Sequence, residues 1–473
     1  MSSVSSALSS LLSGSGSSSS SGIDITSILQ AALGASSPGI DVTSAVSAAI
    51  TAARAPETAW QNQLTLLQNQ TSAINQIETA LSNLDNDVQA LNSITGPLSA
   101  RTVASSNSSV VTASAASGST TGNHVVVVNN LATTASWASG VYANATTALP
   151  AGSFTINTGS GSTTITTTGT QTLTDVANQI NGDNLGLTAS VVNDASGSRL
   201  AIVANTTGAA ANFTISGDTG FGFAQAATGK NASLTVDGIS IASASNTVTG
   251  AVPGLTLNLQ SASPGTQISL SVQQDTSSTT TTINQFVTDY NTVISDLNAT
   301  FKETTSGQGY LATDSTTRSL QSAVLGALSY SYTPSSGTTT VPTLSAMGIN
   351  VNNDGTLSVD SATLQNALQN NFSDVQSFFQ GTALNGFANS LDQTLTGYTN
   401  ASNGAYTVDL QSISNQESDL KTSISNFETN YITPLQTQLQ SEYSQAEIEL
   451  QQLPVEMKQI QAELGNYNNS SNG

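Results

Sequence analysis

Trp60, Leu67, Ile74, Leu81 and Val88 recur at a strict seven-residue interval, with Leu64, Ile77, Leu84 and Leu91 filling the second seam position. That spacing leaves the chain little choice between Pro56 and about Ile94, because it lays apolar residues along one stripe of a helix, the pattern of a coiled coil. At ~1.5 Å per residue such a helix is roughly 58 Å long. A rod of that length with one apolar stripe needs a second helix along its seam to be stable in water. Gly96-Pro97 stops it.

The spacing predicts that the partner lies at the other end of the chain. There Leu439, Ala446, Leu453, Ile460 and Tyr467 keep the sevenfold interval beside Tyr443, Leu450, Met457 and Leu464. Upstream, Leu420, Ile424, Phe427, Tyr431, Leu435 and Leu439 advance mostly by fours, and Pro434 and Pro454 fall inside the pattern, so kinks are expected. A third seam, Ile283, Phe286, Tyr290, Val293, Leu297 and Phe301, completes a bundle.

Between Arg101 and about Asp275 the period changes from seven to two. Leu255, Leu257 and Leu259 alternate with polar residues, as do Ile268, Leu270 and Val272, and Asp237-Gly238 sits between SLTV and ISIA as a hairpin turn. One short helix, LTDVANQI from Leu173 to Ile180, interrupts the block, with Thr174 as its expected N-cap. The fold class is therefore α+β and multidomain: an antiparallel helical coiled-coil or bundle stem formed by both termini, with inserted β-rich head domains. We expect residues 1–42 to be a flexible N-terminal leg with a short helix, its first 21 residues, mostly Ser and Gly, being disordered. Residues 43–100 plus 275–473 form the stem and leg, 101–135 plus 228–274 the first head domain, and 136–227 the second.

Charge narrows the function. Only 8 basic residues face 29 acidic ones, a net −21, so a phosphate backbone or an anionic membrane surface is repelled. Nucleic acid and membrane insertion are not expected partners, and no stretch approaches the ~20 apolar residues of a membrane span. The first 53 residues hold no Lys or Arg, so a Sec-type signal peptide is not expected. Cysteine is absent, which removes disulfides, thiolate metal sites and Cys nucleophiles.

Catalysis has little to work with. The single histidine, His124, leads the run HVVVV and reads as a strand-end residue. In NVNNDGTLSVDS, Asn350, Asn352, Asp354 and Gly355 occupy EF-hand positions, but Ser361 stands where the bidentate Glu belongs. An Asp354-Gly355 hairpin turn followed by a helix from Ser361 is expected instead. GFAQAATGKN is a poor phosphate loop, since six residues separate Gly222 from Gly229 and Asn231 replaces the Ser or Thr that would hold magnesium. Asn-x-Ser/Thr triplets at Asn107, Asn144 and Asn231 follow from composition. No catalytic, cofactor-binding or metal-binding residue is assigned, and the chain is not expected to be an enzyme.

In order along the chain, GIDVTSAVSAAITAARAPETAWQNQL, SARTVASSNSSVVTASAASG, LTASVVNDASGSRLAIVANTTGAAANFTIS and SLTVDGISIASASNTVTGAVPGLTLNLQSASPGT resemble the flagellar filament cap family, also called hook-associated protein 2. The likeness continues through FVTDYNTVISDLN, LATDSTTRSLQSAV and LSAMGINVNNDGTLSVDSATLQNAL. The resemblance implies a non-enzymatic cap at the distal tip of the bacterial filament. It implies a ring of copies, usually five, with helical legs and a β-rich plate, that holds exported flagellin while it folds and inserts. Implied partners are a second copy of the chain, flagellin, the hook-filament junction proteins and an export chaperone, and the implied location is extracellular. Alternative readings are another axial protein, such as a flagellin or junction protein, or a surface adhesin.

One feature lies outside that resemblance. The phrase GIDITS at Gly22–Ser27 is repeated as GIDVTS at Gly39–Ser44. Asp41, Thr43 or Ser44 of the second copy is expected to cap the helix that becomes the stem. In the first copy Ile23, Ile25, Ile28, Leu29 and Leu33 make a short amphipathic helix ended by Gly34. With Ile40, Val42 and Val46, these residues are the expected docking surface toward the filament or the hook junction.

Overall fold

Asp41 opens the first described helix. Its Oδ2 accepts the Ser44 hydroxyl at 2.6 Å and its Oδ1 the Ser44 amide at 3.1 Å, satisfying a donor that every helix start leaves over. Those bonds, the side-chain one first, hold the Asp41 carboxyl below the usual range. Of the three expected caps, Asp41 is the acceptor that the fold uses. The structure, a computed structural model, describes residues 41–302, 309–334, 337–382 and 385–470. They divide into two compact units.

The first unit comprises Met1–Asn83, Asp289–Gly326 and Gln393–Gly473, and its described part is helical. It draws on α1 (Val42–Ala53), α2 (Ala55–Asn92), α4 (Thr276–Phe301), α5 (Ser315–Ala327), α8 (Phe387–Thr399), α9 (Ala405–Phe427) and α10 (Thr433–Ser470). Between α9 and α10 the backbone widens into a π-helical turn, Glu428–Ile432. The cause is Pro434, which has no amide hydrogen to give to the carbonyl one turn back. A π turn takes up more residues than an α turn, which suits apolar positions that advance by fours through this stretch. The helix continues through Pro454.

The second unit, Leu84–Thr288 and Ala327–Asp392, carries the sheets. A five-stranded antiparallel sheet runs in the order β1 (Arg101–Ser105), β15 (Ile268–Gln274), β3 (Gly122–Asn130), β11 (Ala232–Val236), β12 (Ile239–Ser243). A three-stranded sheet of β13 (Thr247–Thr249), β14 (Leu255–Leu259) and β2 (Val111–Ala115) shares its core, which holds Val126, Val128, Leu234, Leu257, Ile268 and Leu270. β14 buries every second residue, as its period of two requires. The β11–β12 turn is the Asp237-Gly238 pair, with φ of 52° and 81°, the left-handed conformations a two-residue hairpin of this hand needs.

A separate apolar cluster lies between Ala135 and Phe221. It joins the sheet β10 (Ala224–Ala227), β4 (Ser136–Ala138), β8 (Gly197–Ala204), β7 (Leu187–Asp194) and the sheet β6 (Gly161–Thr167), β5 (Gly152–Thr158), β9 (Thr214–Ser216) to helix α3 (Leu173–Gly182). Thr172, not Thr174, caps α3. Its Oγ1 accepts the Asp175 amide at 3.2 Å, and Asp175 Oδ2 accepts the Thr172 amide at 2.8 Å. Thr174 already lies inside the helix, where its hydroxyl cannot reach a free first-turn amide; only the residue before the helix can close this reciprocal box.

Outside the sheets, β16 (Ile349–Val351) and β17 (Leu357–Val359) pair across the Asp354-Gly355 turn. Asp360 then caps α6 (Ser361–Asn370), accepting the Ala362 and Thr363 amides. Helix α7 (Phe372–Gln380) follows directly.

Candidate interaction surfaces

In the first unit α1 packs on the start of α10. Val46 and Ile50 are buried with Ile432 and Leu439, flanked by Val42, Ala49 and Ala53 on one side and Phe427, Leu435 and Tyr443 on the other. Arg54, at the end of α1, donates through Nη1 to Glu57 Oε2 at 2.7 Å and through Nη2 to Glu428 Oε1 at 2.6 Å. The Glu428 bond raises the guanidinium's pKa further, so it stays a cation throughout. Trp60 meets Phe427 edge to face at 5.4 Å. Because the C-terminal end of α1 lies at Phe427–Glu428, the two helices run antiparallel, and Val42 faces the Tyr443 end.

Beyond Tyr443 the apolar face of α10 is uncovered. Leu450 is half-buried, while Leu453, Met457 and Ile460 are 48%, 58% and 54% exposed, and Ile448 and Val455 are exposed on the opposite side. The stretch expected to zip along Trp60–Leu91 therefore meets α1 at Leu439 and is open from Leu453. Leu464 is described only as part of the helix. Val42 and Val46, expected to dock outward, are taken up within the chain. Ile23, Ile25, Ile28, Leu29, Leu33 and Ile40 lie outside the described residues.

The α2 seam finds other neighbours. Leu67, Ile74, Ile77 and Leu81 are buried in the first unit, where Trp60 and Leu64 are half-buried. Gln76 donates to Asp296 of α4 at 2.9 Å, and Gln70 to the Tyr310 carbonyl at 3.1 Å. Leu84, Val88 and Leu91 are fully buried in the second unit, where Gln89 reaches Asp392 of α8 at 3.3 Å. A heptad stripe states that a face must be covered and is silent on which helix covers it.

Asp85 and Asp392 face each other in the second unit. Gln89 Nε2 donates to Asp85 Oδ2 at 2.7 Å and also to Asp392, while Asp85 Oδ1 is buried without a hydrogen-bond partner. Burial first, then the Asp392 carboxyl, pushes Asp85 up to about 6, partly offset by Gln89. Since its folded value lies above the ordinary 3.8, the folded chain binds more protons than the unfolded one in that window. Stability from this site is thus lost as pH rises from about 4 to about 6, and the full penalty stands above 6. Discounted for solvent screening of a half-exposed group, it is about 1 kcal/mol. Asp85→Asn is expected to be more stable than the wild type by that amount at pH 7.5 and equal to it near pH 4. Urea denaturation at the two pH values measures this, and a variant less stable at pH 7.5 would refute it.

On the β side, His124 Nδ1 lies 2.8 Å from Asp237 Oδ2, and Asp237 Oδ1 accepts the Val125 amide at 2.8 Å. The histidine first, then that amide, lowers the Asp237 pKa. This pair ties the hairpin tip to β3 and leaves Ile239, on edge strand β12, 69% exposed. Among the described residues no three His, Asp or Glu side chains converge as metal ligands. None of the helices there is long and apolar enough to cross a membrane.

Comparison with known proteins places these features. The family model for the flagellar hook-associated protein 2 N-terminus matches residues 38–135, and that for its C-terminus matches residues 229–454, together more than two thirds of the chain. A flagellin hook IN motif matches residues 153–206, the stretch from β5 through α3 to β8. The B-type flagellar hook-associated protein 2 of Pseudomonas aeruginosa is 28% identical over 381 residues, covering 72% of this chain and 79% of the relative. The flagellar hook-associated protein 2 of Aeromonas caviae is 30% identical over 298 residues, covering 57% and 63%. The crystal structure of the flagellar cap protein FliD D1-D2-D3 domains from Escherichia coli superposes with a TM-score of 0.60 at 25% identity, covering 72% of this chain and 99% of that one.

Proposed function

Because the chain belongs to the flagellar hook-associated protein 2 family, we propose that it caps the distal tip of the flagellar filament as a closed ring, with five copies, that retains exported flagellin and promotes its folding and insertion. The family's proteins are filament components that associate with flagellin at the tip, outside the cell. The observation that carries the reading is the order of the matches, with the two family models flanking the flagellin hook IN motif.

In this reading residues 101–135 with 228–274 and residues 136–227 form the plate, and residues 43–100 with 275–473 form stem and leg from both ends of the chain. Hook-filament junction proteins and an export chaperone are the further partners. The role is structural, without catalysis. A cap has to step as each flagellin is added, so its legs must release and rebind. The low-charge, amide-rich α10 suits that cycle, since few charges must be desolvated on contact. A single leg contact of a few apolar side chains contributes about 1.5–3 kcal/mol for each one buried, small enough to break repeatedly.

Electron microscopy of the purified full-length chain, with native mass measurement, tests the assembly. Small closed rings viewed down one axis are expected. Long filaments would assign the chain to another axial role, and a monomer at all concentrations would overturn the ring.

A further inference from the structure

The repeated phrase has a counterpart on α10. Its two copies begin 17 residues apart, at Gly22 and Gly39. Laid over the second copy, Asp24 and Ser27 fall on the cap pair Asp41 and Ser44, and Ile25, Leu29 and Leu33 fall on Val42, Val46 and Ile50. Those last three are the residues that α1 turns toward α10. Along α10, Ile432, Leu435 and Leu439, which receive them, are each followed 18 residues later by Leu450, Leu453 and Met457. Eighteen residues are about five helical turns at ~3.6 residues each, so the second apolar set lies on the same face as the first.

We propose that Gly22–Gly34 docks on the Leu450–Ile460 face of α10 as a second copy of the α1 contact. Three observations carry it. The face is uncovered where the first contact ends, Leu453, Met457 and Ile460 being about half exposed. The residues preceding α1 leave from its Val42 end, which the antiparallel packing puts beside Tyr443, where the uncovered stretch begins. The register also closes: Arg54 lies opposite Glu428, so a 17-residue step back along the first helix sets Leu29 beside Leu453 and Met457. Ser36-Ser37-Pro38-Gly39 between the copies breaks the helix and lets Asp24 start a fresh one. Asp24 is the segment's single charged residue, so docking desolvates little charge. The N-terminal family model begins at residue 38, after the first copy, so the inference is independent of the cap reading.

The chain has no cysteine, which makes disulfide trapping clean. In the full-length protein, Leu29→Cys with Met457→Cys is expected to crosslink within one chain under mild oxidation, in about tenfold higher yield than Leu29→Cys with Val455→Cys, whose second position faces away. Equal yields, no crosslink, or bonds between differently mass-tagged chains would overturn it, the last by assigning the face to a second copy. Hydrogen exchange gives an independent reading. Leu29→Asp with Leu33→Asp is expected to speed exchange of the amides of residues 450–460 while leaving residues 432–439 unchanged, and no change at 450–460 would also overturn the proposal.

Discussion

Replacing Phe387 by alanine is expected to lower the unfolding free energy of the second unit by about 3–5 kcal/mol. Phe387 is 1% exposed and stacks on Phe378 at 5.3 Å with an interplanar angle of 19°. The edges of Phe286, Phe379 and Tyr330 surround it at 5.9, 6.0 and 6.0 Å. Truncation leaves a ring-sized void lined by four aromatic side chains, and those rings cannot close it without giving up their own edge contacts, each worth about 0.5–1.5 kcal/mol. Tyr330 is further held from moving inward because its hydroxyl donates to the Asn385 carbonyl at 2.8 Å. Phe387→Leu keeps most of the volume and is expected to lose less than half as much. Calorimetry of the full-length chain measures both. If Phe387→Ala costs under about 1 kcal/mol, the rings are not packed to interior density.

Asn246→Ala is expected to cost about 2–3 kcal/mol, although it removes only an amide from a half-buried side chain. Asn246 Oδ1 accepts the Ala132 amide at 2.7 Å, and its Nδ2 donates to the Ala132 carbonyl at 3.0 Å. Ala132 is 5% exposed, so the truncation strands one buried donor and one buried acceptor, each costing about 1–3 kcal/mol when unmade. The same clamp recurs where Asn181 grips both backbone groups of Ala189, at 2.8 and 2.9 Å, and where Asn212 grips those of Gly229, at 2.8 and 2.9 Å. Each works as a one-residue strand, pairing a backbone the ladder has left unpaired. Asn246→Asp supplies no donor to the Ala132 carbonyl and is expected to be no better than alanine. A chemical denaturation midpoint for Asn246→Asp matching the wild type would show that the carbonyl bond carries nothing.

These two sites mark where the residue pattern stops speaking. Ser, Thr, Asn and Gln read as the polar surface of a chain with few charges, yet three asparagines serve as interior backbone partners. Nothing in a single Asn distinguishes the two uses, because the difference is whether an unpaired backbone segment comes to lie beside it. The aromatic cluster gathers Phe286, Tyr330, Phe378, Phe379 and Phe387 from α4, the α5–β16 connection, α7 and α8. No local spacing links them. Thr174 was the nearer miss, since TLTD offers two threonines and only the reciprocal bond with Asp175 selects Thr172.

What the sequence by itself determined is the set of faces that must be covered and the places where the chain must turn: the stripe Trp60–Leu91, the alternation of Leu255–Leu259, and the turns Asp237-Gly238 and Asp354-Gly355. Such features are local, since a side chain's direction on a helix or strand follows from its own spacing and a left-handed turn from its own two residues. Only the tertiary structure decided which surfaces cover one another: α1, not α2, on the start of α10, and Gln76 and Gln89 beside Asp296 and Asp392 from the middle of the chain. An apolar stripe gains nearly the same free energy against any matching stripe, because burial is non-directional. The choice among partners is made by the connections between helices and by the single polar contacts that set their register.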